Sequence, residues 1–379
     1  MPHLVIIGAG IAGLAHAVAG LARGWRVSVI ERSPKPRGAS TQNFGMVWPI
    51  GQALGPRRAR ALRSRAIWKA LSRRAGFAFD ERGTLLLAYT PEALAVAQEF
   101  AAQTAEEGTV ELLDPARVAR MHPAVRLDGL QAGVFSSVEA RVSPTETLGA
   151  LITWLAGEGV RFHFGSAATA VHPGAVETSD GVRHPFDRCL ICSGDDTTTL
   201  FPRALAEAGC SRIRLQMLRT APMPSDWRLG PALASELSMA FYASFAGCPS
   251  ISRLQERLHR READALRYGI HVLAVQDAAG ALVIGDSHTD DTETPAAYSS
   301  AIERLILGQL DRFLDAPLSS IESRWLGHYL RAPAGQTHVR LAPAEGVEIV
   351  TGLGGGGMTL SFALAEETLD NVGPAIDQS

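Results

Sequence analysis

Residues 8–13 read Gly-Ala-Gly-Ile-Ala-Gly, directly after the apolar run Val5-Ile6-Ile7 and directly before an Ala- and Leu-rich stretch that ends at Gly24. Glycine at the first, third and sixth of six positions, set between a strand and a helix, leaves few folds open. Gly8 makes the tight turn, Gly10 lets the backbone approach a pyrophosphate, and Gly13 lets the helix pack close to the strand. The helix start at Ile11 and Ala12 presents free N–H groups and the positive end of its dipole to phosphates. A second β-branched run, Val27-Ser28-Val29-Ile30, ends in Glu31, where a carboxylate takes the ribose hydroxyls of an adenosine. Arg32 follows and suggests a 2′-phosphate, but Glu31 would repel one. The pattern therefore specifies a Rossmann-type βαβ unit holding FAD or NAD.

The same stretch tests two other readings. Residues 5–22 are apolar enough for a membrane span, yet four glycines fall within them, which favours strand–turn–helix. The chain begins Met-Pro-His with no charged segment before the strand, so no secretory signal and no membrane span are expected, and a cytoplasmic location is. A net charge of −3 over 379 residues, 46% of them hydrophobic, leaves room for two or three domains and no reason to expect nucleic acid. Cys189 and Cys192 form a C-x-x-C without a second pair or spaced histidines. They read as small apolar residues of a buried strand, and no metal site is expected.

Along the chain, residues 34–56 read as an ordered loop and residues 57–75 as an arginine-rich, solvated helix. Helices are expected at 91–107 and 115–121. Ser143-Pro144-Thr145-Glu146 is a helix start with a capping box. Strands are expected at 159–164, 170–178 and 188–192, an antiparallel pair at 268–276 and 281–285, a helix at 294–314 and a strand at 346–351. Nucleotide-binding pieces thus lie at both ends, with a strand-rich insert between them.

The C-terminal piece favours FAD. Residues 349–360 run from a strand through Gly352-Leu353-Gly354-Gly355-Gly356-Gly357 into Met358-Thr359-Leu360, a second helix start that can receive an anion. Consecutive glycines let the backbone lie flat on a ligand, with N–H groups free for a flavin carbonyl. Residues 187–194, ending Cys192-Ser193-Gly194, bring another strand end to the pyrophosphate.

Four pieces, the fingerprint with Glu31, Gly38-Ala39-Ser40, the Cys192-Ser193-Gly194 turn and the C-terminal glycine loop, resemble in order the D-amino-acid oxidase-type flavoproteins, which include glycine oxidase and monomeric sarcosine oxidase. The resemblance implies an α/β (overall α+β) fold: a Rossmann-type FAD-binding domain with an inserted antiparallel-sheet substrate domain. It implies a discontinuous FAD-binding domain at 1–85, 140–212 and 325–379, with 86–139 and 213–324 as the substrate domain. It further implies hydride transfer from a C–N bond to flavin N5, giving an imine that water hydrolyses, with O2 or another acceptor taking the electrons. The flavin supplies that chemistry and the protein the placement. Residues 43–52, 268–271, 285–288 and 351–354 resemble a narrower group, proposed to oxidise aminophosphonates related to 2-aminoethylphosphonate in phosphonate catabolism.

By the same resemblance, Ser40, Asn43, Phe44, Gly45 and Met46 run along the pyrophosphate and the ring. Val171 presents its backbone to the adenine, and Gly354–Thr359 hold the pyrimidine end of the flavin. Trp48 and Gln52 line the wall nearest the ring. Glycine oxidase-like members hold a substrate carboxylate with an arginine where Tyr329 stands here. Arg331, two residues on, is the candidate anchor for a small anionic amine, with Tyr329 and His271 as hydrogen-bonding neighbours. Arg253 is the second choice. Sarcosine oxidase-like members carry a lysine where Val283 stands, and the only lysines here are Lys35 and Lys69; His271 could supply the charge instead. With no cysteine after Cys248, the FAD is expected to be non-covalent. The alternatives are an amino-acid, glycine or sarcosine oxidase, a 2-hydroxy-acid or polyol-phosphate dehydrogenase, and a protein that keeps FAD without turnover.

Overall fold

In the computed structural model, which describes residues 1–291 and 297–370, the strand His3–Ile7 is buried at every position. It lies inside a six-stranded sheet in the order Val339–Ala344, Val347–Thr351, Arg188–Ile191, His3–Ile7, Arg26–Glu31 and Arg161–Phe164. All neighbours pair parallel except the Val339–Ala344 edge strand, which is antiparallel. Parallel pairing brings the loops after the strands to one edge. The Gly8–Gly13 turn, Glu31, the Cys192–Gly194 turn and the Gly352–Gly357 loop therefore meet there, at the carboxyl end of the sheet, where such folds bind ligands.

Alternation along the strands fills both faces, as near-continuous apolar runs require. Leu4, Ile6 and Val29 pack under the helices Ile11–Ala22, Pro144–Gly157 and Gly357–Asp370. Val5, Ile7 and Ile30 meet the small sheet and Leu205 on the other side. Each such side chain contributes roughly 1.5–3 kcal/mol. Cys189 and Cys192 are free and buried, as their apolar setting suggested; burial pushes the Cys192 thiol up to about 12.

Several local expectations are corrected. The arginine-rich helix Pro56–Ala75 is not merely solvated. It packs Trp68 against Phe362 edge to face at 4.7 Å, and Arg60 and Arg63 pair with Glu367 and Glu366, each at 2.7 Å. Arg58 is almost wholly buried and pairs with Glu107. At Pro144–Gly157 the Ser143 side chain makes no cap bond; its carbonyl accepts from the Thr147 N–H at 2.9 Å instead. The span 170–178 is two strands, Ala168–His172 and Ala175–Thr178, divided at Gly174 with φ +71°. The strand expected over 268–276 is only Leu273–Gln276, because helix Ala263–Arg267 ends in Gly269 at φ +58°. The helix expected from 294 runs Ser300–Asp311, capped by Ser299; positions 294–296 and the tail 371–379 lie outside the described residues.

A nine-stranded sheet forms the roof, antiparallel apart from the parallel pair Ala232–Ala234 and Thr84–Ala88. Its longest strands, Ser211–Pro222 and Ile321–Arg331, pair with each other through Ser211↔Arg331 and Ile213↔Tyr329. Residues 84–85, 211–212 and 325–331, expected with the cofactor domain, thus run in the roof sheet. No helix among the described residues is long and apolar enough to cross a membrane.

Candidate active site

The carboxyl edge of the six-stranded sheet opens into a cavity of about 360 Å³. Gly8, Gly10, Ile11, Ala12, Glu31, Arg32, Ala39, Ser40, Cys192, Ser193, Gly194, Gly354 and Gly357 line it, bringing together segments separated by most of the chain. Glu31 accepts from the Ala9 N–H through Oε2 and from the Ser33 N–H through Oε1, both at 2.9 Å. Each oxygen keeps a lone pair for a hydroxyl. Ser40 Oγ accepts from the Ile11 N–H at 2.9 Å and so fixes the 38–40 segment across the helix start. Thr351 Oγ1 donates to the Gly194 carbonyl at 2.8 Å, tying two of the glycine turns together.

Of the expected contacts, Val171 comes out differently, while Gly13 and Arg32 keep the parts the sequence assigned them. Gly13 does not line the cavity: a Cβ there would stand 1.9 Å from the Gly8 carbonyl oxygen, so its role is helix-to-strand packing. Val171 pairs with Val176 and packs with the core on that side, because the strand starts earlier than expected; Ala167 and Ala168 form the wall instead. Arg32 lies on the wall with its guanidinium bonded to Asp196 at 2.8 Å, a carboxylate that would itself oppose a 2′-phosphate.

A second cavity of about 330 Å³ continues from the first. Ile11, Ala39, Ser40, Tyr329, Gly352–Gly354 and Gly357 line both, so the two form one channel. Trp48, Gln52, His271, Tyr329 and Arg331, the five candidates for substrate chemistry, all face the second cavity, together with Asn43, Phe44, Met46, Gly355, Gly356, Met358 and Thr359. Gly45 does not. It sits behind the wall at φ +75°, where a Cβ would be 1.9 Å from the Val142 carbonyl oxygen. Its N–H donates to Asn43 Oδ1 at 2.7 Å, and Asn43 Nδ2 donates to the Ala39 carbonyl at 2.7 Å. Asn43 therefore braces the segment. Val283 is buried in the roof sheet, and neither it nor Arg253 belongs to either wall.

The roof contributes residues that sequence reasoning named only in passing or missed. Asp286 follows the strand Ala281–Gly285 and is buried, as is His271, in a stretch of the second cavity wall that also includes His288, Tyr242 and the exposed Phe241. His271 and His288 lie 4.8 Å apart, 22° between planes, and Phe241 stacks on His271 at 3.7 Å. The Nε2 atoms of His271 and His288 stand 3.7 and 3.6 Å from the Asp286 carboxylate, and one ligand atom from each of the three lies within 4.8 Å of the others, a spacing open to a cation. Burial holds both imidazoles low, His288 at about 4, and pushes the Asp286 carboxyl well above its usual range. Burial also raises the hydroxyls of Tyr242 and Tyr329, with the Asp286 charge adding to both. The signal for Asp286 was its place in Gly285-Asp286-Ser287-His288; Tyr242 had none.

Residues 3–370 match the family model of DAO, FAD dependent oxidoreductase. The chain belongs to this family. No curated protein matches it. Among solved structures, glycine oxidase from Geobacillus kaustophilus is 19% identical, with a TM-score of 0.76 over 100% of this chain and 97% of that one. Iminodiacetate oxidase from Chelativorans sp. BNC1 is 18% identical, with a TM-score of 0.72 over 99% and 97%. L-alpha-glycerophosphate oxidase from Mycoplasma pneumoniae is 15% identical, with a TM-score of 0.74 over 98% and 95%. At these identities the likeness is one of fold, and it bears out the expected mixed α/β architecture.

FAD is the cofactor of the family, and the residues fit it. The channel is continuous from Glu31 to Trp48, walled by backbone at its glycines, and the buried Trp48 Nε1 has no partner. When bound, the flavin supplies a two-electron acceptor for hydride. Glu31 would hold the nucleotide end, the Ser40–Trp48 segment and the Gly354–Thr359 loop would face each other across the ring, and the roof would enclose the second cavity.

Proposed function

We propose that the protein oxidises a C–N bond in a small anionic amine, with an aminophosphonate related to 2-aminoethylphosphonate as substrate, and acts in phosphonate breakdown in the cytoplasm. The observation that carries the anionic half is Arg331. It ends the long roof strand Ile321–Arg331, stands exposed on the wall of the cofactor channel, and has no carboxylate within 4 Å among the described residues. Such an arginine suits the oxygens of a carboxylate or phosphonate, which it can grip with two parallel hydrogen bonds. Tyr329 beside it supplies a hydroxyl to the same cavity.

The amine half is supported by the names of fold relatives, a glycine oxidase and an iminodiacetate oxidase. Tyr329 at the glycine oxidase arginine position favours an anion other than a simple α-carboxylate, and the short matched segments favour a phosphonate. The name of the glycerophosphate oxidase keeps a polyol phosphate as the second reading. O2 or another acceptor would take the electrons. Anaerobic mixing of the FAD-loaded protein with 2-aminoethylphosphonate, its N-methyl form, glycine, sarcosine, a 2-hydroxy acid and glycerol 3-phosphate tests the proposal. Bleaching of the flavin by the aminophosphonates first is the expected result. Bleaching only by the hydroxy compounds, or by none, would refute it.

A further inference from the structure

We infer that Asp286, flanked by His271 and His288, is the subsite that takes the substrate's amino group as an ammonium ion; this rests on the anionic-amine reading and supplies its other half. Asp286 is only 5% exposed, yet no arginine or lysine among the described residues pairs with it. Its nearest chargeable neighbours are the two imidazoles at 3.7 and 3.6 Å, beyond hydrogen-bond length. Asp286 Oδ1 and His271 Nε2 are both buried without any partner. The other ring nitrogens are turned away: His271 Nδ1 lies 3.4 Å from Ser238 Oγ, and His288 Nδ1 lies 3.3 Å from the Gly269 carbonyl. A buried carboxylate with an empty oxygen is costly unless something positive or protic meets it. The space it faces is the cavity that Arg331 also lines.

A guanidinium and a carboxyl group that an ammonium would hold ionised, both on one cavity, match a molecule with an anion at one end and an ammonium at the other. Tyr329 marks the line between them, since its hydroxyl feels both Asp286 and Arg331, in opposite senses. An alcohol in place of the amine offers no charge to Asp286, so the pair separates amines from hydroxy compounds carrying the same anion.

The test uses the oxidised, FAD-loaded protein and three ligands whose reacting carbon carries no hydrogen: 2-amino-2-methylpropylphosphonate, its 2-hydroxy counterpart, and 2,2-dimethylpropylphosphonate. Dissociation constants are read from the flavin spectrum and by calorimetry. Wild type should bind the amine about 30-fold or more tighter than the other two, the range for a charged hydrogen bond. Asp286→Asn should bring that preference to within about 3-fold, with the amine-free ligand changed by less than about 3-fold, whereas Arg331→Ala should weaken all three alike. If wild type binds all three equally, this inference fails while the anionic reading stands. If none binds, the anionic-amine reading fails and takes this inference with it. A uniform loss in Asp286→Asn, or one equivalent of zinc or iron in the purified protein that disappears in His271→Ala, would also overturn it. Should Asp286→Asn not fold, the wild-type comparison decides.

Discussion

The backbone N–H of Trp48 donates to Thr359 Oγ1 at 3.0 Å, a bond between positions 311 residues apart. It fastens the segment that lines one wall of the cofactor channel to the first turn of the C-terminal helix that lines the other. Trp68, whose Nε1 donates to the Met358 carbonyl at 2.7 Å, holds the same turn from behind.

Both residues of the Trp48–Thr359 bond are buried, so removing the acceptor strands an N–H away from water. Thr359→Val keeps the shape and should cost about 1–3 kcal/mol, seen as weaker FAD binding and a lower urea midpoint. Thr359→Ser should restore both. A valine variant that binds FAD as wild type does would show that the bond does not set the channel width.

The glycines of the fingerprint should separate by what a side chain would meet. At Gly10 a Cβ stands 3.0 Å from the Ser40 hydroxyl, a group that can swing; at Gly13 it stands 1.9 Å from backbone. Gly10→Val should therefore give a folded, colourless protein, its side chain filling the place of the pyrophosphate. Gly13→Val should not fold at all. Circular dichroism with the visible flavin absorbance distinguishes the two, and a yellow Gly10→Val would mean that the phosphates lie elsewhere.

Acid precipitation should release all the flavin into the supernatant. The cysteines are Cys189, Cys192, Cys210 and Cys248; of these only Cys192 lines the channel, and burial holds its thiol at about 12, so little thiolate forms there. Flavin retained in the pellet would disprove the non-covalent assignment.

His16, on the fingerprint helix, is fully buried, with Nδ1 2.7 Å from the Ala12 carbonyl and a pKa held at about 4 by burial. Its folded pKa is below the unfolded value, so between pH 6.5 and 4 the unfolded chain binds a proton that the native state excludes. Stability is full above that window and falls as pH falls through it. From this residue alone the loss is about 2 kcal/mol at pH 5. In His16→Leu, the drop in unfolding free energy from pH 7 to pH 5 should shrink by that amount; an unchanged drop would mean that His16 is protonated in the native state.

The cofactor half of the molecule was legible because its rules are local. A glycine pattern, a β-branched strand and a terminal acid sit within about thirty residues, and parallel pairing then brings their loops together. Val171 missed by a few residues because the strand begin was read late, and Gly45 was read as a contact when backbone crowding at the Val142 carbonyl explains it. The roof was less legible. Ser211–Pro222 and Ile321–Arg331 lie in long strands whose arginines break the apolar alternation: Arg219, on the first, pairs with Asp277 and Glu322. Asp286 entered the sequence reading only as part of the matched segment 285–288. Only the folded sheet brings it beside His271 and turns it into a buried carboxyl group.

The roof strand also carries the last prediction. Arg331 is exposed on the channel wall without a paired acid among the described residues, beside the buried Tyr329, and its charge reaches His288 and helps to hold that imidazole low. If it holds the substrate anion, it fixes the reacting carbon in place, and losing it should lower turnover as well as affinity. Arg331→Ala should reduce kcat/KM by two or more decades, on the order of 3 kcal/mol for a charged hydrogen-bonded pair. Arg331→Lys should recover only part, since an ammonium cannot make the two-pronged contact. FAD affinity should change little in either variant, which separates loss of the anchor from loss of the fold. A neutral amine of the same length should be a poor substrate for wild type and nearly indifferent to the change. An unaltered rate of flavin reduction in Arg331→Ala would move the anchor to the neighbouring polar side chains of the cavity.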